Sequence, residues 1–469
     1  MISVAEAGSQ AIGFVLTAVL ARWGGTQVLG VFAIALAFSA LLSPLVELGL
    51  NRIIVRESAR SPEQSGTFVA AALLIRALAA VPVLGLALAV AHGLGYPSET
   101  VSMIGLIGAV ACLGLLQAAF RMQFYAFQKM EFDAVTRLLE RIVATGLGIW
   151  VIISGHGLVW IGVAFVVASL GGLVVTWLIA RVKFGRLPLR SLDYAVCVSL
   201  LRPAWPLAIA GILVAVYFRV DVVILSILAD ESAAGLYSAA RNLVLALTLV
   251  SLALNSSVFP ILSQQYAHDR RAFETTLKTS LRYALLIAVP MGFGLMALAD
   301  SVISILYGPE FSGAVPLLRI LAAGLVLMFV TSFFGMVSVA IHRQGWIAVI
   351  ALCNVLFNIS LNVVLVPRLG ALGSAVASVL TELLGLSIYL FLISRAMGML
   401  PVPRSLAQIV VAALLMGLAV RAAAPLGFLF AVAVGVCAFV MLFALLGGLS
   451  DEDRMALREV FSGAHWEKR

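Results

Sequence analysis

Apolar residues run along this chain in blocks of about twenty, the length that carries a helix across about 30 Å of hydrocarbon. Such blocks fall at residues 3–21, 28–50, 67–91, 100–119, 138–154, 159–180, 205–228, 234–259, 281–306, 313–339, 346–366, 372–394, 405–423 and 427–447. They predict an all-α polytopic membrane protein with about fourteen transmembrane helices. Trp23, Trp160, Trp205 and Trp346 stand at the predicted ends, where an amphipathic ring prefers the headgroup level. Residues 1–24 lack a basic start and read as a retained first span, not a cleaved signal. Pro44, Pro82, Pro206 and Pro290 interrupt or start spans.

Composition agrees. With 63% apolar and 11% charged residues, the chain is excluded as a water-soluble domain and as a disordered one. Four cysteines are too few for a disulfide scaffold. Cys112, Cys197, Cys353 and Cys437 sit in or beside apolar runs, without a CxxC pair, and read as small core residues. The five histidines are scattered at 92, 156, 268, 342 and 465, and the chain has no Gly-Lys of a phosphate-binding loop. These features predict no catalytic residues, no metal site and no cofactor, so an enzyme is disfavoured.

The net charge of +8 changes the picture in one way only. The 30 basic residues lie between hydrophobic runs, not in one block, so topology and not a nucleic-acid partner accounts for them. Even-numbered connections and the tail hold 21 of them, 23 with Arg141 and Arg282 at the adjoining block edges; the odd-numbered side holds Arg22, Arg368 and, at a block edge, Arg421. Lys and Arg in short loops stay on the cytoplasmic side, so both termini are expected in the cytoplasm. The tail opens Ser450-Asp451-Glu452-Asp453, a capping box, and predicts a short cytoplasmic helix within 448–469.

The two halves of the chain resemble each other. Leu48-Gly49-Leu50-Asn51 recurs as Leu252-Ala253-Leu254-Asn255, preceded by Gly30-Val31-Phe32 and Gly235-Leu236-Tyr237. Ala80-Val81-Pro82 recurs as Ala288-Val289-Pro290, and Leu178-Ile179-Ala180-Arg181 as Leu392-Ile393-Ser394-Arg395. The common order predicts a duplication: an N-terminal lobe 1–190 (spans 1–6), a C-terminal lobe 191–398 (spans 7–12), two further spans in 399–447, and the tail. Six helices per unit, an even number, relate the lobes by an axis along the membrane normal. Two-lobed carriers of this kind bind substrate at mid-membrane and rock, so transport is the implied class.

Ala21-Arg22 followed by GGTQVLGVFAIALAFSALLSPLVELGLNRIIVRESAR resembles the opening of the polysaccharide-exporter branch of the MOP superfamily, the oligosaccharidyl-lipid flippases that include Wzx-type O-antigen translocases. FQKMEFDAVTRLLER (127–141) is similar to that family's cytoplasmic link between spans 4 and 5. Arg219-Val220-Asp221 with Ala234-Gly235-Leu236-Tyr237-Ser238-Ala239-Ala240-Arg241 resembles its hairpin of spans 7 and 8. The resemblance implies flipping of undecaprenyl-diphosphate-linked sugar units, with membrane lipids and other polysaccharide-assembly membrane proteins as partners. A MATE-like multidrug or cation antiporter and a peptidoglycan-precursor flippase are the alternatives.

A charge at membrane depth is costly and is a functional candidate by default. Six are expected there: Arg76, Arg219, Asp221, Arg241, Arg319 and Glu382. Asp221 and Arg241 lie at one depth on neighbouring spans and either pair structurally or serve a cavity; Arg219, about 200° around the helix from Asp221, cannot share its face. Guanidinium forks suit phosphate oxygens, so Arg76, Arg219, Arg241 and Arg319 are candidate diphosphate ligands, with Arg22 at the outer interface either a ligand or an anchor. Arg76, deep in span 3 with no acid near it in sequence, is the leading one. Glu382 is either a proton or sodium coupling site or a hydrogen-bonded carboxyl. The repeat-related Pro82 and Pro290 are candidate hinges or passive kinks.

Overall fold

A computed structural model of the chain describes residues 2–188, 192–398, 403 and 405–448; the tail helix expected within 448–469 lies outside the described residues. Among the described residues fifteen α-helices follow one another: α1 (Ile2–Glu47), α2 (Leu50–Arg60), α3 (Ser65–Gly93), α4 (Ser98–Ala126), α5 (Met130–Ile153), α6 (Leu158–Phe184), α7 (Tyr194–Leu228), α8 (Glu231–His268), α9 (Arg270–Ala297), α10 (Ala299–Leu306), α11 (Ala314–Ala340), α12 (Gly345–Leu369), α13 (Ala371–Met397), α14 (Leu406–Ala423) and α15 (Phe428–Leu445). No strand occurs among the described residues.

Every apolar run read from the sequence is a helix. The first two share α1, whose 46 residues extend about 69 Å, roughly two crossings. They meet at Gly25, where the backbone leaves helical geometry (φ 66°, ψ −162°). Twelve helical stretches have the length and apolarity to cross a membrane. The kinked α1 adds a crossing to that number, and so does α5, whose first half is crowded with Glu131, Asp133, Arg137, Glu140 and Arg141. The protein is a multi-pass integral membrane protein.

The helices overrun the expected boundaries on one side. α5 starts at Met130, α7 at Tyr194 and α9 at Arg270, and α8 continues to His268, each roughly eight to eleven residues beyond the hydropathic edge. All four extensions lie on the side of the Lys/Arg-rich connections. Helical hydrogen bonding continues there, while charged side chains are tolerated because the hydrocarbon has ended. The connection carrying Arg52, Arg56 and Arg60 is itself a helix: α2 buries Leu50, Ile53 and Ile54 and exposes the three arginines, four residues apart, on the opposite face. The single span expected at 281–306 breaks at Leu298 into α9 and α10.

The contacts divide the chain into two compact units, one of residues within Met1–Asn242 and Val355–Ser374, the other within Leu243–Asn354 and Ala375–Arg469. The first has a core in which Ile53 and Ile54 of α2 pack with Val69, Ala72, Phe120, Phe124 and Ala204. The second is centred on Phe273, Leu277, Phe333, Phe334 and Ile393. Small residues are frequent in both, as close helix packing in lipid requires.

Within the first unit the repeat becomes a contact. The Cβ of an alanine at Gly30 would lie 1.8 Å from the Glu231 carbonyl oxygen, and that of an alanine at Gly235 would lie 2.0 Å from the Thr26 carbonyl oxygen and 2.9 Å from the Gly30 nitrogen. Aligned on the Gly30-Val31-Phe32 and Gly235-Leu236-Tyr237 motifs, Thr26 and Gly30 match Glu231 and Gly235, so position i of one segment touches j of the other and j touches i. Reciprocal contact of this kind is the mark of a two-fold relation at that point. The Thr26 and Ser232 hydroxyls, 2.5 Å apart, close the same seam.

Gly30→Ala therefore drives a side chain into backbone, and the helices must separate. Overpacking of this order costs about 1–3 kcal/mol. In a T26C/S232C background, disulfide formation is expected to be efficient with Gly30 present and to drop with Gly30→Ala; equal cross-linking in both would contradict the contact.

Candidate functional site

Beside that seam the turns α3–α4 and α7–α8 and the kink of α1 enclose a pocket of about 510 Å³. Its wall carries Thr26, Gln27, Tyr96, Ser226, Asp230 and Glu231. The Tyr96 and Ser226 hydroxyls are 2.5 Å apart, and the Thr100 hydroxyl donates to the Glu231 carboxylate. Burial raises the Tyr96 phenol above its ordinary value; the bond to Ser226 acts against this, and the charge of Glu231 adds to it. The phenol therefore stays protonated at neutral pH. Asp230 accepts from the Ala233 amide at 2.6 Å and caps the start of α8. The only charges on this wall are negative, so the pocket suits cations or neutral hydroxyls better than a diphosphate.

Deeper along α7 and α8 the structure brings Asp221 and Arg241 together. Arg241 donates from Nη1 to Asp221 Oδ2, and Tyr237 donates its hydroxyl to the same oxygen at 2.5 Å. Arg241 also donates to the Tyr237 oxygen at 2.6 Å and to the Phe218 carbonyl at 3.1 Å. Asp221 is buried, and the Arg241 side chain is 12% exposed. The pair staples the two helices to each other. Arg219, half-buried on the other side of α7, forms no ion pair among the described residues.

Arg76 is fully buried in α3. Its Nη1 donates to the Leu115 carbonyl at 2.6 Å and its Nη2 to Asn51 Oδ1 at 2.7 Å. Asn51 in turn donates to Glu47 at 2.8 Å. The arginine thus has an acid within its network, relayed through an amide, which corrects the reading of an isolated charge drawn from sequence distance alone. Its Nε atom has no partner, and the residue is closed to solvent in this structure.

The remaining candidates are separate from these. Arg319 pairs with Asp300, the acid at the start of α10, at 2.5 Å, and both side chains are substantially exposed. Arg22 is exposed on α1 near the kink. Glu382, buried in α13, accepts from the Thr331 hydroxyl at 2.9 Å. Pro82 and Pro290 lie inside α3 and α9, which run through them without interruption.

One buried cluster has no counterpart among the sequence candidates. Arg121, 6% exposed near the end of α4, donates to Gln117 at 2.6 Å and to Glu140 at 3.0 Å, with Asp133 at 3.5 Å. Asp133 also receives Tyr125 at 2.8 Å and Arg137 at 2.8 Å. Arg121 reads in sequence as one more loop charge. The available signal was the seven-residue spacing of Asp133 and Glu140, which places both acids on one face of a helix beginning at Met130.

A family model described as "Polysaccharide biosynthesis protein" matches residues 1–266, more than half of the chain. The chain belongs to the polysaccharide biosynthesis protein family. A second model, "Lipid II flippase MurJ", matches residues 203–445, so the two patterns overlap at α7 and α8. Over 251 residues this family member is 28% identical to the "Probable low-salt glycan biosynthesis flippase Agl15" of Haloferax volcanii, covering 53% of this chain and 52% of that one. The chain thus spans about half the length of the curated relative. The fold is similar to "Lipid II flippase MurJ, inward closed conformation", with TM-score 0.76, 17% identity, and 95% and 98% of the two chains covered. It is also similar to an "Inward-facing conformation of a multidrug resistance MATE family transporter of the MOP superfamily", with TM-score 0.68, 15% identity, and 84% and 94% covered. These likenesses establish a MOP-type helical fold for this member of the family.

The Asp221–Arg241 pair gives a direct test. Asp221→Ala leaves a buried guanidinium uncompensated, a loss of about 3–5 kcal/mol for a buried pair. Thermal unfolding in detergent should show a large fall in Tm for Asp221→Ala, and the swap Asp221→Arg with Arg241→Asp should recover part of it; additive losses would argue against direct pairing.

Proposed function

We propose that this protein is a flippase that moves a lipid-linked oligosaccharide, the undecaprenyl-diphosphate-linked repeat unit of O-antigen or exopolysaccharide, from the cytoplasmic to the outer leaflet by alternating access. The observation that carries the reading is the match of residues 1–266 to the polysaccharide biosynthesis family. The glycan-flippase name of the Haloferax volcanii relative supports it. So does the sign of the deep charge in the first unit, where Arg76, Arg219 and Arg241 outnumber Asp221 and Glu47, and Arg219 is left without an ion pair among the described residues. Cationic forks are what a diphosphate carrier needs, and a carrier of cationic drugs needs the reverse.

In this mechanism the reciprocal seam of Gly30 and Gly235 is the closed outer side, and the substrate enters from the inner one. Arg219 is the first contact for the diphosphate because no carboxylate occupies it. Arg76 serves only after Asn51 releases it, so its role belongs to the opened state. Arg319, exposed and paired to Asp300, and Arg22 are contacts on the exit path. Glu382 carries the coupling proton or sodium ion, and bending at Pro82 and Pro290 follows the rocking. The setting is a bacterial inner membrane with both termini in the cytoplasm, alongside the other membrane proteins of polysaccharide assembly. The protein acts by binding and release, without covalent chemistry or cofactor.

A second reading, a flippase for the peptidoglycan precursor, is favoured by the MurJ match over residues 203–445. Lipid extraction from a strain lacking the gene separates the two. Accumulation of a lipid-diphosphate oligosaccharide in the cytoplasmic leaflet, reversed by the intact gene and reduced in rescue by Arg219→Ala at equal membrane abundance, is the expected outcome. Accumulation of the peptidoglycan precursor instead would select the second reading. A normal lipid pool with raised sensitivity to cationic drugs would overturn both.

A further inference from the structure

A second pocket lies next to the Arg121 cluster, at the end of α6 where the Lys/Arg-rich connection begins. It has a volume of about 420 Å³ and is lined by Gly66 of α3, Gln123 of α4, and Trp177, Arg181, Phe184 and Arg186 of α6 and its exit. Two further cations adjoin it. The Lys129 ammonium stands 5.7 Å from the centre of the Phe184 ring, and the Lys183 ammonium 5.4 Å from that of Phe132. The Arg181 guanidinium stacks 5.3 Å from the Trp177 ring, and Phe127 packs on Phe184 at 4.9 Å.

Four cations thus gather on an aromatic floor, and among the described residues none of the four is in an ion pair. The contrast with the neighbouring cluster is informative. Arg121 and Arg137, on α4 and α5, are matched to Asp133 and Glu140, so acids are available nearby but are spent elsewhere. Like charges held together without counter-charge repel one another, and an anion relieves that cost. A tryptophan and phenylalanines beside arginines at a helix end is the composition of the headgroup layer, where a ring has apolar and polar surroundings at once.

We propose that this pocket binds the phosphate of an anionic phospholipid headgroup, with Arg181 and Arg186 as its main ligands and Lys129 and Lys183 adding long-range attraction. The proposal does not rest on the flippase reading: the site is built for bulk membrane lipid, and the aromatic floor receives the glycerol and upper acyl chain. Basic residues at an inner membrane surface each strengthen binding of anionic lipid by about 1 kcal/mol. Removing two direct phosphate ligands should therefore weaken binding by roughly thirtyfold.

The test is native mass spectrometry of the purified full-length protein titrated with phosphatidylglycerol, with phosphatidylcholine and with inorganic phosphate. The wild-type protein should retain phosphatidylglycerol adducts at concentrations where phosphatidylcholine and inorganic phosphate give none. The double variant Arg181→Ala with Arg186→Ala should lose one such adduct, with affinity lower by tenfold or more, while Arg181→Lys with Arg186→Lys keeps most of it. A variant of equal charge change on α9, Arg271→Ala with Lys278→Ala, should bind as wild type, and an unchanged Tm of both double variants checks folding. Equal retention in the Arg181/Arg186 variant would overturn the site. Equal loss in the α9 variant would reduce it to net charge. Comparable occupancy by inorganic phosphate would overturn the lipid assignment.

Discussion

A charge carried into hydrocarbon must take its partners with it, because no water waits there to solvate it, and the first compact unit of this protein is arranged around that constraint. Asp221, Tyr237 and Arg241 satisfy one another across the α7–α8 hairpin. Arg76 is held by an amide and a carbonyl, with Glu47 one step further along. Where α4 and α5 leave the hydrocarbon, Arg121 is matched in the same way to Asp133 and Glu140. Each solution couples two or more helices, so the polar networks fix the packing as much as the apolar contacts do. A buried network is stabilising only while complete, which makes these positions sensitive to single changes.

The reciprocal contact of Gly30 and Gly235 adds the second constraint. Two helices that meet backbone to backbone can do so only where both lack a side chain, and a duplicated sequence supplies that twice at once. The same contact explains why the short motif preceding each copy of the Leu-x-Leu-Asn repeat begins with glycine. The hydroxyl bridge of Thr26 and Ser232 and the Thr100–Glu231 bond flank the contact and hold it closed. Beside it lies the pocket whose charged lining residues, Asp230 and Glu231, are both acidic.

Most of the fold was legible because twenty-residue hydropathy is a strong signal. The fourteen runs are all helical, and counting depth on adjacent spans put Asp221 and Arg241 level, with pairing one of two readings. What escaped was polar helix. Residues 130–137 and 270–280 are helical but charged, 260–268 helical but polar, and 194–204 helical with Arg202 and Pro203 near their end, so the hydropathic blocks stop short of them; α2 escaped because it is charged, although Arg52, Arg56 and Arg60 stand at helical spacing. The site was less legible than the fold. Arg76 looked isolated because Glu47 lies 29 positions away in sequence, and only Asn51 brings it near. Arg121 was invisible as a site residue until α5 was known to start at Met130, which turns Asp133 and Glu140 toward it.

The account stands on one claim, that this membrane protein moves a lipid-linked glycan between leaflets. Its most direct test is reconstitution of the pure protein in vesicles with a lipid-diphosphate oligosaccharide of known sugar, followed by the fraction of glycan reached by an impermeant lectin or glycosidase from outside. The account predicts that access rises with time beyond the level set at vesicle formation, that it depends on the protein, and that it is lost when the outer seam is locked by a T26C/S232C disulfide and regained on reduction. Access that stays at its starting level, with protein present and the seam free, would contradict it.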